Sequence, residues 1–108
     1  MISSELYQSI CILGDDTCQY IANILKSKTN EIIFTGFPLS DSFNNGYLKA
    51  SNLIIKLLLS DRDTKEDALK QINEIDLSYY QYNSCKSCFN DGFIRAINQL
   101  NLEMKNYN

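Results

Sequence analysis

The feature that most constrains this chain is the spacing of its apolar residues, which recur every three or four positions along most of its length. This period places them on one face of an α-helix, whereas a half-buried strand would need strict alternation. Only one Pro and four Gly are present, which is few for the many turns of an all-β fold. We therefore predict an all-α fold. The clearest stripe comprises Cys85, Cys88, Phe89, Gly92, Phe93, Ala96, Ile97, Leu100 and Met104.

Breaks in the period divide the chain into a predicted bundle of four to five helices. The first is expected to run unbroken through Gly14, where the missing side chain would let another helix approach closely. The alternative is a break at Gly14, with Asp15 or Asp16 capping a second helix. The helix over residues 40–60 is apolar on several sides and is expected to be central. The expected helices are residues 3–27, 40–60, 63–75 and 84–105, with a further turn within 76–83.

An irregular segment is expected near residues 28–40, between the first two long helices. Gly36 and Pro38 punctuate it, and Glu31 to Thr35 could pair as a strand but has no partner strand in the sequence. We expect the apolar side chains of this segment to pack into the core. The sequence shows no internal repeat or linker, so residues 1–108 are predicted to form a single helical domain. The apolar residues expected to pack inward are Ile33, Phe34 and Phe37.

The charge pattern argues against nucleic acid as a partner. The net charge is −3, and the ten Lys and Arg residues are scattered without a cluster. The most apolar run, Leu53 to Leu59, contains Lys56 and is far shorter than the roughly twenty residues that a membrane span requires. The first residues lack the features of a signal peptide. We therefore expect no membrane association, a cytoplasmic location and reduced cysteines.

The cysteines carry the one pattern that is typical of chemistry, a Cys-x-x-Cys formed by Cys85 and Cys88. These two are candidate metal ligands, but Cys11 and Cys18 would lie about 10 Å apart along an unbroken helix and could not share their ion. A redox role would need a preceding strand, which is not predicted. We expect all four thiols to pack in the core and no cofactor to bind. A disulfide from Cys11 or Cys18 to Cys85 or Cys88 remains open.

Catalytic machinery is not indicated. The sequence contains no His, which excludes catalytic triads and most general acid–base sites. Its four glycines are isolated, so no phosphate-binding loop is formed. The carboxylate pairs Asp15–Asp16 and Asp61/Asp63 lie where helix caps are expected. We therefore expect that the protein is not an enzyme.

The favoured function is a small non-catalytic protein-binding protein, of the inhibitor, immunity-protein or adaptor type. Its acidity suits docking on a basic macromolecule such as a nucleic-acid-handling enzyme. Exposed Tyr is common at protein interfaces, and the richness in Asn, Ile, Lys and Tyr suggests a bacterial or phage origin. The expected partner-binding residues are Tyr79, Tyr80, Tyr82, Asp61, Asp63 and Asp76.

Two alternatives remain. Residues 63–75 and the last helix could form a helix-turn-helix of a transcriptional regulator, although that last helix offers only Lys86, Arg95 and Lys105 as bases. A Cys-dependent redox or metal-binding protein is the other alternative. A homodimer is also compatible with the sequence if an apolar face stays uncovered.

Overall fold

In the computed structural model, residues 2–34, 41–74 and 86–106 are described, and their regular secondary structure is α-helix throughout. The predicted all-α bundle is therefore confirmed. The predicted turn within 76–83 lies outside these ranges. The helices are α1 (Ser4–Cys11), α2 (Asp15–Phe34), α3 (Asp41–Leu59), α4 (Arg62–Glu74) and α5 (Lys86–Lys105).

Helix α3 is the centre of the bundle, as predicted, because it packs against α2, α4 and α5. Its sequence explains this position, since apolar residues occupy more than one side of the helix. Each flanking helix contributes an apolar stripe that is buried against α3 or its neighbours. The buried apolar residues of α3 are Phe43, Tyr47, Ala50, Leu53, Ile54, Leu57 and Leu58.

The first predicted helix is not continuous. Helix α1 is capped by Ser3, whose Oγ accepts a hydrogen bond from the Leu6 N–H at 3.1 Å, and it ends at Cys11. A turn over residues 12–14 follows, and the Gly14 carbonyl then accepts the first hydrogen bond of α2 from the Cys18 N–H at 3.0 Å. Asp15 lies in the first turn of α2, where a carboxylate stabilises the helix dipole, and does not cap it. The prediction of a helix through Gly14 was therefore wrong.

The predicted irregular segment is helical over residues 28–34, because α2 continues to Phe34. No Gly or Pro interrupts the sequence from Asp15 to Phe34, and the first strong helix breaker after it is Gly36. Inside the helix, the buried Thr29 hydroxyl donates to the Leu25 carbonyl at 2.8 Å. Residues 35–40, including Phe37, and the side chains of Ile33 and Phe34 lie outside the described part of the chain, so their predicted packing is untested.

The closest helix contact is the crossing of α3 and α5, and it depends on two glycines. A Cβ atom at Gly46 would overlap the Phe89 carbonyl oxygen of α5. A Cβ atom at Gly92 would overlap the Phe43 carbonyl oxygen of α3. At Gly14, by contrast, a Cβ would have no neighbour within 4 Å. The close approach predicted at Gly14 is thus found at Gly46 and Gly92.

Candidate protein-docking face

A groove of about 370 Å³ opens between α1 and α4. It is lined by Tyr7 and Cys11 from α1 and by Arg62, Lys65 and Glu66 from α4. Most of its accessible lining is apolar. An apolar concavity with a few charged groups at its edge is the usual form of a site that receives a side chain from a partner.

Ile12 follows Cys11, a residue that lines this groove, in the turn after α1. Its side chain is 84% exposed, the highest value among the large apolar side chains in the described ranges. The helix break at residues 12–14 produces this exposure, since the turn carries Ile12 away from the core. One exposed apolar residue is ordinary on a protein surface. Ile12 is of interest because it is the next residue after one that lines an apolar groove.

Glu66 lines the groove itself, and further carboxylates lie at the starts of α2 and α4. Asp15 and Asp16 occupy the first turn of α2, and Asp63 occupies the first turn of α4. We call the groove residues, Ile12 and the carboxylates of this region together the α1–α4 face. It comprises Tyr7, Cys11, Ile12, Asp15, Asp16, Asp61, Arg62, Asp63, Lys65 and Glu66.

Both basic residues of the α1–α4 face are engaged within the chain. The Arg62 guanidinium pairs with Glu66, at 3.6 Å between Nε and Oε1, in an exposed ion pair that contributes little stability. The Lys65 ammonium donates to the carbonyls of Leu57 and Leu58 at 2.7 and 2.9 Å. It thereby satisfies two carbonyls at the end of α3. The face is therefore acidic in its net charge, with five carboxylates against two bases.

Asp61 has a structural role in this face, because it caps α4. Its Oδ1 accepts a hydrogen bond from the Thr64 N–H at 3.0 Å, as the sequence predicted for a carboxylate at this place. Hydrogen bonds from the backbone and side chain of Thr64 lower the pKa of Asp61 below the usual range of an aspartate. Asp63 lies in the first helical turn and is exposed. Neither observation tests the prediction that these two residues bind a partner.

The cysteines differ from the prediction that all four are core thiols. The prediction holds for Cys18, a free thiol that is buried and whose pKa is raised by that burial. Cys11 is also a free thiol but is exposed, and Cys88 is disulfide-bonded rather than reduced. A disulfide that joins Cys11 or Cys18 to the last helix is therefore excluded. Cys85 lies outside the described residues.

The Cys11 thiol is part of the groove rather than of the core. Partial burial and a hydrogen bond between the Tyr7 hydroxyl and the Cys11 thiol raise the pKa of Tyr7. In the described ranges, no three Cys, Asp or Glu side chains lie close enough together to hold a metal ion. A sulfur in a disulfide is not a thiolate ligand, so the bonded state of Cys88 argues against the metal site considered for Cys85 and Cys88.

The Cys11 thiol was predicted to lie in the core because the first helix was predicted to be continuous. The available signal was Gly14 followed by Asp15 and Asp16, a combination that is typical of a helix start. The other predicted partner-binding residues lie outside the described part of the chain. These are Tyr79, Tyr80, Tyr82 and Asp76.

Comparison of the chain with known protein families, with curated proteins and with solved structures finds no match. Among the described helices, none is long and apolar enough to cross a membrane.

Proposed function

We propose that this chain is a non-catalytic protein-binding domain that docks on a basic surface of another protein through its α1–α4 face. The observation that carries the proposal is the exposure of Ile12, 84%, directly after Cys11 of an apolar groove, with carboxylates at the starts of α2 and α4. Protein interfaces typically combine an apolar centre with a polar, charged rim. Ile12 and the groove form such a centre, and Asp15, Asp16 and Asp63 form the rim.

The charge of the face defines the partner's chemistry. Acidic side chains around an apolar centre attract a surface with Lys or Arg around an exposed apolar side chain. A nucleic-acid duplex would meet the same carboxylates with its phosphates and be repelled. A basic nucleic-acid-handling enzyme is a partner of the required kind. The inhibitor, immunity-type and adaptor roles all use such a face.

The predicted cytoplasmic location and the predicted bacterial or phage origin are part of this proposal. We place the protein in the cytoplasm of a bacterium or in a phage-infected cell, and the absence of a spanning helix in the described ranges is compatible with that. The disulfide at Cys88 is more typical of an oxidising compartment. Thiol counting in rapidly quenched cells decides the location, since four free thiols support the cytoplasm and two contradict it.

The first experiment compares two exposed apolar residues. Proteins captured from host extract by the parent chain are identified, purified and titrated against the parent, Ile12→Glu and Leu102→Glu. Leu102 is the matched control, since it is 54% exposed on α5 and does not line the groove. We expect Ile12→Glu to weaken binding about tenfold or more, because burial of a charge in an interface centre costs at least about 1.4 kcal/mol. Leu102→Glu should bind like the parent.

The opposite ranking, or equal binding by both variants, would contradict the α1–α4 face as the docking site. Binding of a DNA duplex by the parent chain in a salt-dependent manner would favour the helix-turn-helix alternative instead.

The second experiment tests the charge of the face. Asp63→Lys should slow association with the purified partner, because electrostatic complementarity acts mainly on the association rate. The matched control is Asp91→Lys on α5, which is equally exposed and lies outside the face. The slowing should disappear at high salt, where surface charges are screened. Equal association rates for the two variants would remove the electrostatic part of the proposal.

A further inference from the structure

Helices α3 and α5 share an eight-residue pattern, a short repeat that was not predicted from the sequence. Residues 43–50 read Phe-Asn-Asn-Gly-Tyr-Leu-Lys-Ala, and residues 89–96 read Phe-Asn-Asp-Gly-Phe-Ile-Arg-Ala. Phe, Asn, Gly and Ala stand at the same places in both copies, and the other four pairs are similar in shape. We call these segments the crossing motifs. The four similar pairs are Asn45/Asp91, Tyr47/Phe93, Leu48/Ile94 and Lys49/Arg95.

The two crossing motifs contact each other reciprocally. The glycine of each motif lies against the carbonyl oxygen of the first residue of the other, so Gly46 meets Phe89 and Gly92 meets Phe43. Exchange of the two motifs would leave this pair of contacts unchanged. The crossing therefore has local two-fold symmetry in its contacts. Such close backbone approach favours Cα–H···O contacts, which recur at tight helix crossings.

Burial and side-chain environment repeat in the same way. Along residues 43–59 and 89–105 every pair of equivalent residues has the same degree of burial except Leu53/Gln99. Asn44 and Asn90 each bury a side-chain oxygen that has no hydrogen-bond partner. The ring pairs Phe43–Tyr47 and Phe89–Phe93 both have centroids 6.4 Å apart.

Burial alone does not explain the similarity of the two motifs. Beyond residues 50 and 96 the burial of equivalent residues still matches, but their chemistry matches less well. Beyond the motifs, equivalent buried positions hold different chemistry, as in Ser51/Ile97 and Leu57/Glu103. All eight pairs of the motifs are identical or similar, against three of the next eight pairs, so the similarity is strongest around the two glycine contacts. This is the pattern expected if the contact itself, and not general helix packing, requires these residue types.

We infer that the crossing motifs are two copies of one helix-association element whose surface is complementary to itself. The partner that this surface fits is a second copy of the same motif, as in the interface of a two-fold homodimer. In this chain the two copies belong to one polypeptide, and each packs against the other. The inference is independent of the proposed docking function, since no residue of the α1–α4 face takes part.

The test exchanges the motifs in the full chain. The variant places Phe-Asn-Asp-Gly-Phe-Ile-Arg-Ala at 43–50 and Phe-Asn-Asn-Gly-Tyr-Leu-Lys-Ala at 89–96, so its composition equals that of the parent. We expect a cooperative thermal transition within about 5 °C of the parent Tm. The matched control exchanges the next eight residues, 51–58 with 97–104, which have nearly the same burial but different chemistry. That control should lose more than about 10 °C or fail to fold.

Two outcomes would overturn the inference. One is loss of cooperative folding in the motif exchange, and the other is an equal response of the motif exchange and the control exchange. A homotypic variant with Asp91→Asn, Phe93→Tyr, Ile94→Leu and Arg95→Lys gives both helices the α3 motif. It should also retain a cooperative transition within about 5 °C of the parent Tm, and its unfolding would count equally against self-complementarity.

Discussion

Helices α5 and α1 are attached to the bundle in opposite ways. Helix α5 touches α3 directly through its backbone, at Gly46 and Gly92. The α1 region is attached through side chains. The Ile2 N–H donates to the Asn73 Oδ1 at 2.9 Å, and the Asn73 Nδ2 donates to the Ile2 carbonyl at 3.1 Å. Within α1, Ile10 is the only described residue that is fully buried.

This difference indicates which part of the molecule can change its packing without moving a whole helix. A backbone contact leaves no atoms that can rotate away, so any added volume must move a whole helix. Partly buried side-chain hydrogen bonds such as those of Asn73 can be exchanged for water at a smaller cost. The α3–α5 crossing should therefore control global unfolding, whereas α1, which carries part of the proposed docking face, should open locally.

The largest expected effect is at the crossing. Gly46→Ala and Gly92→Ala should each lower the free energy of unfolding by about 3 kcal/mol or more, since the added methyl group overlaps a backbone carbonyl. Urea titration followed by circular dichroism measures this loss. Equal sensitivity at the two positions is expected from the reciprocal contact. A loss below about 1 kcal/mol at either position would break the distinction between the two regions.

An intermediate effect is expected where α4 holds the N-terminal region. Asn73→Ala removes both hydrogen bonds to Ile2 and should cost about 1–2 kcal/mol. Amide hydrogen exchange should quicken in α1 while protection of α3 and α5 persists. The matched control is Asn98→Ala, at an exposed position of α5, which should leave exchange in α1 unchanged. Faster exchange throughout the chain in Asn73→Ala would show that α1 is not an independent unit.

A smaller effect concerns pH and Asp61. The hydrogen bonds from Thr64 lower the pKa of Asp61 in the folded state, so folding favours its ionised form. The resulting stabilisation is complete above the ordinary pKa of an aspartate and is lost as the pH falls through the lowered folded-state pKa. In Asp61→Asn the amide keeps the cap without the titration. Its Tm should therefore fall less than that of the parent between pH 5 and acid conditions. Parallel curves for both proteins would contradict the assignment.

The smallest effect is expected at Gly14, the glycine outside the packed region. Gly14→Ser meets no atom within 4 Å and introduces a preferred helix N-cap, so it should raise stability by a few tenths of a kcal/mol. The same urea titration measures this gain. A loss comparable to that of Gly46→Ala would mean that the turn over residues 12–14 needs glycine for a reason other than space.

The sequence predicted the all-α bundle, the central place of α3 and the apolar stripe of α5, because helical periodicity survives in the residues that pack. It did not predict the roles of the glycines, because glycine is favoured both in turns and at close helix crossings. Gly14 is exposed between α1 and α2 with no atom within 4 Å of an added Cβ, whereas Gly46 is buried in α3 against the Phe89 carbonyl. The exposure of Cys11 and Ile12 followed from the break at Gly14 and was missed with it. The prediction that Asp61 and Asp63 bind a partner came from charge alone and stays a prediction.

The two glycine contacts also determine how far along α3 the helix α5 is placed. A slide of one residue would bring a residue with a side chain, such as Asn45 or Tyr47, to the point where Gly46 meets the Phe89 carbonyl. Only one alignment of the pair is therefore free of steric overlap. Insertions or deletions outside the helices that leave these contacts intact should preserve the register of the core, which makes the crossing the reference point for any redesign of this chain.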